Sequence, residues 1–109
     1  MYLNEISDEP AIVIFTTGDK TDVKYFGESK TGTWKLDLDK QINDVIIYHR
    51  DETKNINMLY KGSFVRTEPS NDNRNTIIFD NVECIGETSY NWFGFTGNNS
   101  STPIKYINI

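Results

Sequence analysis

WKLDLDKQINDVIIYHRDETKNINMLYKGSFVRTE, residues 34–68, is the stretch that decides the fold we predict for this chain. A tryptophan opens it, and a polar spacer leads to residues 45–48, a short apolar run typical of a buried strand. A polar loop then precedes residues 58–67, a second strand with Gly62 in its interior. Because a glycine inside a strand often marks a bulge or a close backbone approach, we expect irregular pairing there. This order is typical of a small β-barrel with an aromatic residue at its mouth.

Further strands are predicted on both sides of this stretch. Ala11–Thr17 is another apolar run rich in β-branched residues, and residues 33–38 alternate between apolar and polar. Three more short segments read as strands: residues 76–79, 82–85 and 103–109. Only residues 20–26 and 37–43 are candidates for helix. We therefore predict a mostly β fold (α+β at most), a six- to seven-stranded pseudobarrel with one or two short helices.

Size and composition limit the class of protein. A chain of 109 residues forms one domain, residues 1–109, with residues 1–9 as a polar lead-in. The single cysteine, Cys84, excludes an internal disulfide and a cysteine-based zinc cluster, and its apolar neighbours predict that it is buried. The N-terminal residues lack the basic and apolar regions of a secretory signal, and no apolar run is long enough to cross a membrane. The prediction is a cytoplasmic protein.

Catalytic motifs are missing from the sequence. His49 is the only histidine, and no serine lies in a G-x-S-x-G motif. The carboxylates of Asp37, Asp39 and Asp44 lack the spacing and glycine of an EF-hand loop, and no glycine-rich phosphate loop is present. The sequence therefore predicts a protein that is not an enzyme and that holds no cofactor or metal.

Aromatic residues are the strongest functional signal. Trp34 follows a glycine-containing loop, Trp92 and Phe93 form a second group, and Tyr25 with Phe26 forms a third. Aromatic faces bind flat ligands, since stacking on a nucleobase contributes about 1–3 kcal/mol per base. The competing interpretation is that these side chains fill the core.

Residues 11–68 contain, in this order, AIVIFTT, a loop, GTW, NDVIIYHRDETK and LYKGSFVRTE. This order resembles the EVE and YTH group of PUA-like domains. Domains of this group form a small β-pseudobarrel and bind nucleic acid, often holding one extruded, modified base between aromatic walls. The chain departs from the group in being shorter than most members and acidic.

The resemblance implies a set of ligand-binding residues. Trp34 matches the loop tryptophan that forms one wall of the pocket, and Thr16 and Thr17 match the polar end of the first strand near the base edge. Tyr48 and His49 match the strand end that faces the pocket. The second wall has no match, and composition alone points to Trp92 or Phe93.

The first functional hypothesis is a non-catalytic module that binds nucleic acid or a nucleotide and holds a base, modified or not, in an aromatic pocket. Extruding a base from a duplex costs a few kcal/mol, which stacking and edge hydrogen bonds must offset. Flanking phosphates would contact four cationic residues: Lys30, Lys35, Arg50 and Lys61.

The second hypothesis is a small acidic interaction protein, virus-encoded, that blocks the nucleic-acid site of a host nuclease or other defence protein, as anti-restriction proteins do. Its basis is the net charge of −5. Sequestration of a free nucleotide signal is a variant between the two hypotheses. A clustered acidic surface would favour the second hypothesis and mixed charge the first; the residues concerned are Glu5, Asp8, Glu9, Asp51 and Glu52.

Overall fold

The computed structural model of the chain describes residues 7–17, 21–51, 53–54, 56–89 and 103–108, apart from the side chains at positions 17, 88 and 89. Seven strands form one sheet, in the order β2-β3-β6-β5-β4-β1-β7. Their bounds are β1 Ala11–Thr17, β2 Thr21–Asp22, β3 Ser29–Trp34, β4 Asp44–Asp51, β5 Ile56–Pro69, β6 Asn75–Ser89 and β7 Ile104–Ile107. The β1–β4 pair is parallel and the other neighbours are antiparallel. The predicted mostly β fold is confirmed.

The sheet rolls until its two ends meet through side chains. β2 and β1 are far apart in the strand order, yet the Thr21 hydroxyl donates a hydrogen bond to Thr16 Oγ1 over 3.2 Å. A second link joins the segment after β3 to β7, because the Asp37 backbone N–H donates to the Tyr106 hydroxyl at 3.0 Å. The pseudobarrel therefore takes the form of a rolled sheet whose edges are held together by polar side chains.

The two faces of the roll carry separate cores. We call the larger one the inner core; it joins residues from most strands: Ile12, Ile14, Trp34, Val45, Ile47, Ile77, Phe79 and Val82. The outer core is built mainly on β1, β4 and β5, from Ala11, Val13, Phe15, Ile46, Tyr48 and Leu59. Because β1 and β4 bury both faces, their sequences are continuous apolar runs, which is why both strands are predictable.

Several predicted elements differ from the structure. Residues 76–79 and 82–85 belong to one continuous strand, β6, because Asn81 adopts a left-handed conformation (φ 51°) that carries the chain through a bulge instead of a turn. β3 ends at Trp34, so residues 35–38 are not a strand. Cys84 is exposed, not buried.

The candidate helices also take another form. Within residues 21–26 lie β2 and a bend, and residues 38–40 form a turn. Asp37 explains the turn: its Oδ1 accepts from the Asp39 N–H at 3.1 Å, and its carbonyl accepts from the Lys40 N–H at 3.3 Å. In the described part of the chain, helical geometry is confined to a short 3-10 turn at Asn71–Asn73.

Candidate functional site

Trp34, the central residue of the sequence hypothesis, lies in the inner core. Its side chain is 4% exposed, and its indole N–H donates a hydrogen bond to Thr31 Oγ1 at 3.1 Å. The Trp34 ring therefore packs inside the protein, and its polar atom already has a hydrogen-bond partner there. A base can stack on this ring only if the roll opens.

A line of threonine hydroxyls connects Trp34 to Thr16. Thr31 Oγ1 lies 2.8 Å from Thr21 Oγ1, which in turn donates to Thr16 Oγ1. Thr16 and Thr31 are buried, so these hydroxyls satisfy one another across the seam of the rolled sheet. The structure thus brings together two residues that the sequence analysis assigned to one site, in an arrangement that closes the roll.

Tyr48 and His49 are adjacent on β4 and lie on opposite faces of the sheet. Tyr48 belongs to the outer core, where its ring centroid is 5.0 Å from that of Phe15. Its hydroxyl makes no hydrogen bond in the part of the chain that the structure describes, and burial raises the pKa of Tyr48 to about 12. His49 is half-buried and sits beside Thr16 in the β1–β4 register. The structure therefore does not place Tyr48 with Trp34.

For the three other predicted ligand residues, the structure describes no side chain. Thr17 ends β1 opposite Arg50, and its side chain is outside the description. Trp92 and Phe93 also lie outside the described residues.

The four predicted phosphate contacts are spread over the sheet. Lys30 and Lys35 are exposed, on β3 and just after it. Arg50 is half-buried near the end of β4, whereas Lys61 pairs with Ile46 in the first half of that strand and lies 3.9 Å from Asp44. Arg50 lies four positions along β4 from Ile46, a distance of about 13 Å. The four cations thus lie on β3, just after β3, on β4 and on β5.

A cleft lies elsewhere, between the segment after β3 and the strand β5. We call it the loop cleft; its volume is ≈ 260 Å³ and its lining residues are Leu36, Asp37, Leu38, Lys40, Gln41, Ile42, Phe64 and Thr67. Leu36, Ile42 and Phe64 pack against the inner core and form an apolar floor. Polar side chains of both charges stand around it. An apolar cavity with a few polar groups is the usual form of a small-ligand site.

The cleft is preformed because its loop is attached to β7. The Asp37 N–H bonds the Tyr106 hydroxyl, and the Lys40 ammonium lies 5.4 Å from the centroid of the Tyr106 ring. A cation over an aromatic face is attracted by the ring quadrupole. Together with the Asp37 turn, these contacts hold the loop side of the cleft in place before any ligand binds.

Sequence reasoning missed the floor of this cleft. The alternation of Leu36 and Leu38 predicted a common strand face, but Leu36 points to the core while Leu38 is 62% exposed at the rim. Phe64 gave no signal of its own, because an aromatic residue in a strand is as typical of core as of a binding site. The one sequence pattern that could have indicated the cleft floor is the pair of apolar residues, Leu36 and Ile42, on either side of the polar turn.

Comparisons of this chain with known proteins found no relative. No protein-family model matches the sequence, and no curated protein or solved structure is significantly similar to it.

Metal-binding and membrane-spanning features were also sought. Within the described ranges, no three histidine, cysteine or acidic side chains lie close enough to hold a metal ion. Nor do those residues include a helix of the length and hydropathy that a membrane span requires.

Proposed function

We propose that this chain is a non-catalytic module that binds the base of a nucleotide or nucleic acid in the loop cleft. The observation that carries the proposal is the cleft itself: an apolar floor with one aromatic ring, Phe64, and a polar rim. Pockets for drug-sized ligands measure about 300–1,000 Å³, so a cleft of ≈ 260 Å³ suits a single flat ring system.

The rim supplies groups that can recognise the edge of a base. The Gln41 side-chain amide offers two donors and an acceptor, and the Thr67 hydroxyl offers one donor and accepts as well. Lys40 stands at the same rim with a charge that can meet a phosphate. Compared with the sequence hypothesis, the ligand class is kept and the site moves from Trp34 to the loop that follows it.

The charge distribution supports this function over the acidic-inhibitor alternative. Glu9 accepts a hydrogen bond from the Asn43 side chain at 3.0 Å, so Glu9 lies beside the start of β4, and Asp8 precedes it in the chain. Asp51 ends the same strand, about 23 Å away at 3.3 Å per residue. Glu5 and Glu52 lie outside the described residues. The three described carboxylates thus form no single acidic patch.

Titration of the full chain with nucleotides, and with short modified and unmodified DNA and RNA, tests the proposal. Trp34 packs in the same core as the cleft floor, so tryptophan fluorescence reports on binding. Gln41→Ala, an exposed change at the rim, is expected to weaken binding about two- to tenfold, the effect of one lost hydrogen bond. Thr67→Val is expected to act similarly.

Val65→Thr is the matched control, because Val65 is an exposed residue of β5 outside the cleft lining. It is expected to leave binding unchanged. No response across the whole ligand panel, or equal affinity for wild type and both rim variants, would reject the loop cleft as a base-binding site.

A further inference from the structure

Asp37 is the one carboxylate among the described residues that line the loop cleft, and its position is fixed by local hydrogen bonds. Its backbone N–H donates to the Tyr106 hydroxyl, and its carbonyl accepts from the Lys40 N–H. Its side-chain Oδ1 accepts from the Asp39 N–H at 3.1 Å. These three bonds hold both the backbone and the carboxylate of Asp37 in place at the rim.

The Asp37 carboxylate keeps most of its capacity to accept hydrogen bonds. Its two oxygens offer about four lone-pair sites, and the Asp39 N–H uses one of them. Within the described part of the chain, Oδ2 accepts no hydrogen bond and the carboxylate forms no ion pair. Lys40 lines the same cleft, but its ammonium lies over the Tyr106 ring. Both carboxylate oxygens therefore have lone pairs that a ligand can use.

The other groups of the loop cleft do not distinguish one base from another. The Gln41 amide and the Thr67 hydroxyl each donate and accept, so they adapt to either kind of group on a ligand. Lys40 only donates, and every nucleotide carries a phosphate that can receive it. The apolar floor suits any base, because every base has a π-face. Asp37 is the rim group whose acceptor character can select between bases.

A carboxylate matches a base edge that carries two adjacent donors. Guanine presents N1–H and its 2-amino group side by side, one for each carboxylate oxygen. Adenine and cytosine present an amino group beside a ring-nitrogen acceptor, and uracil and thymine present one N–H between two carbonyl oxygens. In those four bases a lone pair faces the second carboxylate oxygen, and two acceptors that face each other repel. Guanine is therefore the base that an aspartate recognises best by this edge.

We propose that the loop cleft selects guanine, whose N1–H and 2-amino group donate to the Asp37 carboxylate. The inference rests on the proposed base-binding function and names the base. A base that stacks on the apolar floor turns its edges toward the rim, where Asp37 stands. Because Asp37 is exposed, water competes for its oxygens, and we expect a preference of about tenfold over adenine, the lower end of the effect of hydrogen bonds to a charged group.

Calorimetric titration of the full chain with five nucleoside monophosphates is the first test. GMP, IMP, AMP, CMP and UMP share the ribose phosphate, so differences in affinity report on the base. GMP is expected to bind about tenfold more tightly than AMP, CMP or UMP. IMP keeps N1–H and lacks the 2-amino group, so its affinity is expected to lie between those of GMP and AMP. The comparison of GMP with IMP tests the contact without any variant.

Asp37→Asn tests the residue itself. The amide keeps one side-chain oxygen for the Asp39 N–H and replaces the other by a donor, a pattern that suits the amino group and ring nitrogen of adenine. GMP is expected to bind about tenfold more weakly and AMP at least as tightly as before. A purely structural role of Asp37 would weaken all five ligands equally. Asp39→Asn makes the same change of charge at an exposed neighbour outside the cleft lining, and it is expected to keep the guanine preference.

The outcomes separate this inference from the function on which it rests. Equal affinity for all five nucleotides, a preference for another base, or a guanine preference that persists in Asp37→Asn would overturn the assignment of guanine and leave base binding intact. No binding of any nucleotide would overturn both. Circular dichroism and melting curves confirm that the two variants are folded.

Discussion

Trp34 and Tyr48 are both buried aromatic residues with one polar atom, and the two polar atoms differ in their hydrogen bonding. The Trp34 indole N–H has a threonine partner at 3.1 Å, whereas the Tyr48 hydroxyl makes no hydrogen bond within the described residues. Burial raises the pKa of Tyr48 to about 12, so the phenol is neutral over the physiological range. Because the Trp34 indole N–H has a hydrogen-bond partner inside the protein, we interpret Trp34 as a residue of the core.

Trp34→Ala is therefore expected to destabilise the protein. Replacing a buried tryptophan by alanine leaves a cavity in the inner core and typically costs about 3–5 kcal/mol of unfolding free energy. Urea unfolding followed by circular dichroism measures the change. Lys35→Ala, at the exposed neighbouring position, is the control, with an expected change within about 0.5 kcal/mol.

The opposite result would restore the sequence hypothesis for this residue. If Trp34→Ala unfolded like the wild type but no longer bound a nucleotide that the wild type binds, the indole would be a wall of the ligand site.

At the scale of elements, β5 and β6 form the longest pair in the sheet, and their pairing is irregular at three places. One register shift spans Lys61 and Ser63, the positions on either side of Gly62. A Cβ at Gly62 would lie 2.8 Å from Cδ2 of Phe79 and 2.9 Å from the Asp80 carbonyl oxygen. Glycine is needed here because neighbouring backbone and core occupy the space of a side chain.

Gly62→Ala is expected to lower the unfolding free energy by about 1–3 kcal/mol, the usual effect of overpacking a well-packed core. The measurement is urea unfolding, with Val65→Thr on the same strand as an exposed control. Unfolding of Gly62→Ala at the same urea concentration as the wild type would show that β5 and β6 separate easily at the bulge.

At the scale of the whole molecule, the β1–β4 pair is the most deeply buried part of the roll, and β2 and β7 are its edges. Residues 45–48 have no solvent exposure and lie between β1 and β5, whereas β7 is a four-residue edge strand of intermediate burial. β2 is the other edge and contributes two residues. Local opening is easiest where few backbone and apolar contacts must break, so the edges are expected to open independently of the centre.

Native-state hydrogen exchange tests this order of stability. Amides of residues 45–48 are expected to exchange about 100-fold or more slowly than those of Ile104–Ile107, because the former require global unfolding and the latter only edge opening. Equal protection of the two groups would mean that the roll closes and opens as a single cooperative unit.

Particular residues show which features of the fold and of the candidate site can be predicted from the sequence. β1 and the middle of β4 follow from their apolar runs, and the close approach at Gly62 follows from a glycine in a strand. The loop cleft does not follow, because Leu36, Ile42 and Phe64 meet only once β5 has paired beside the rolled sheet. The base ligand and the resemblance to PUA-like domains remain predictions for experiment.

The sequence by itself determined that this chain is mostly β and which segments form its buried strands, since local alternation and turn residues act over a few positions. Only the tertiary structure decided the strand order, the seam of threonines and the place of Trp34. The physical reason is that an aromatic side chain carries the same local signal in a core and in a binding site. Which of the two it occupies depends on residues far away in the chain that fold against it.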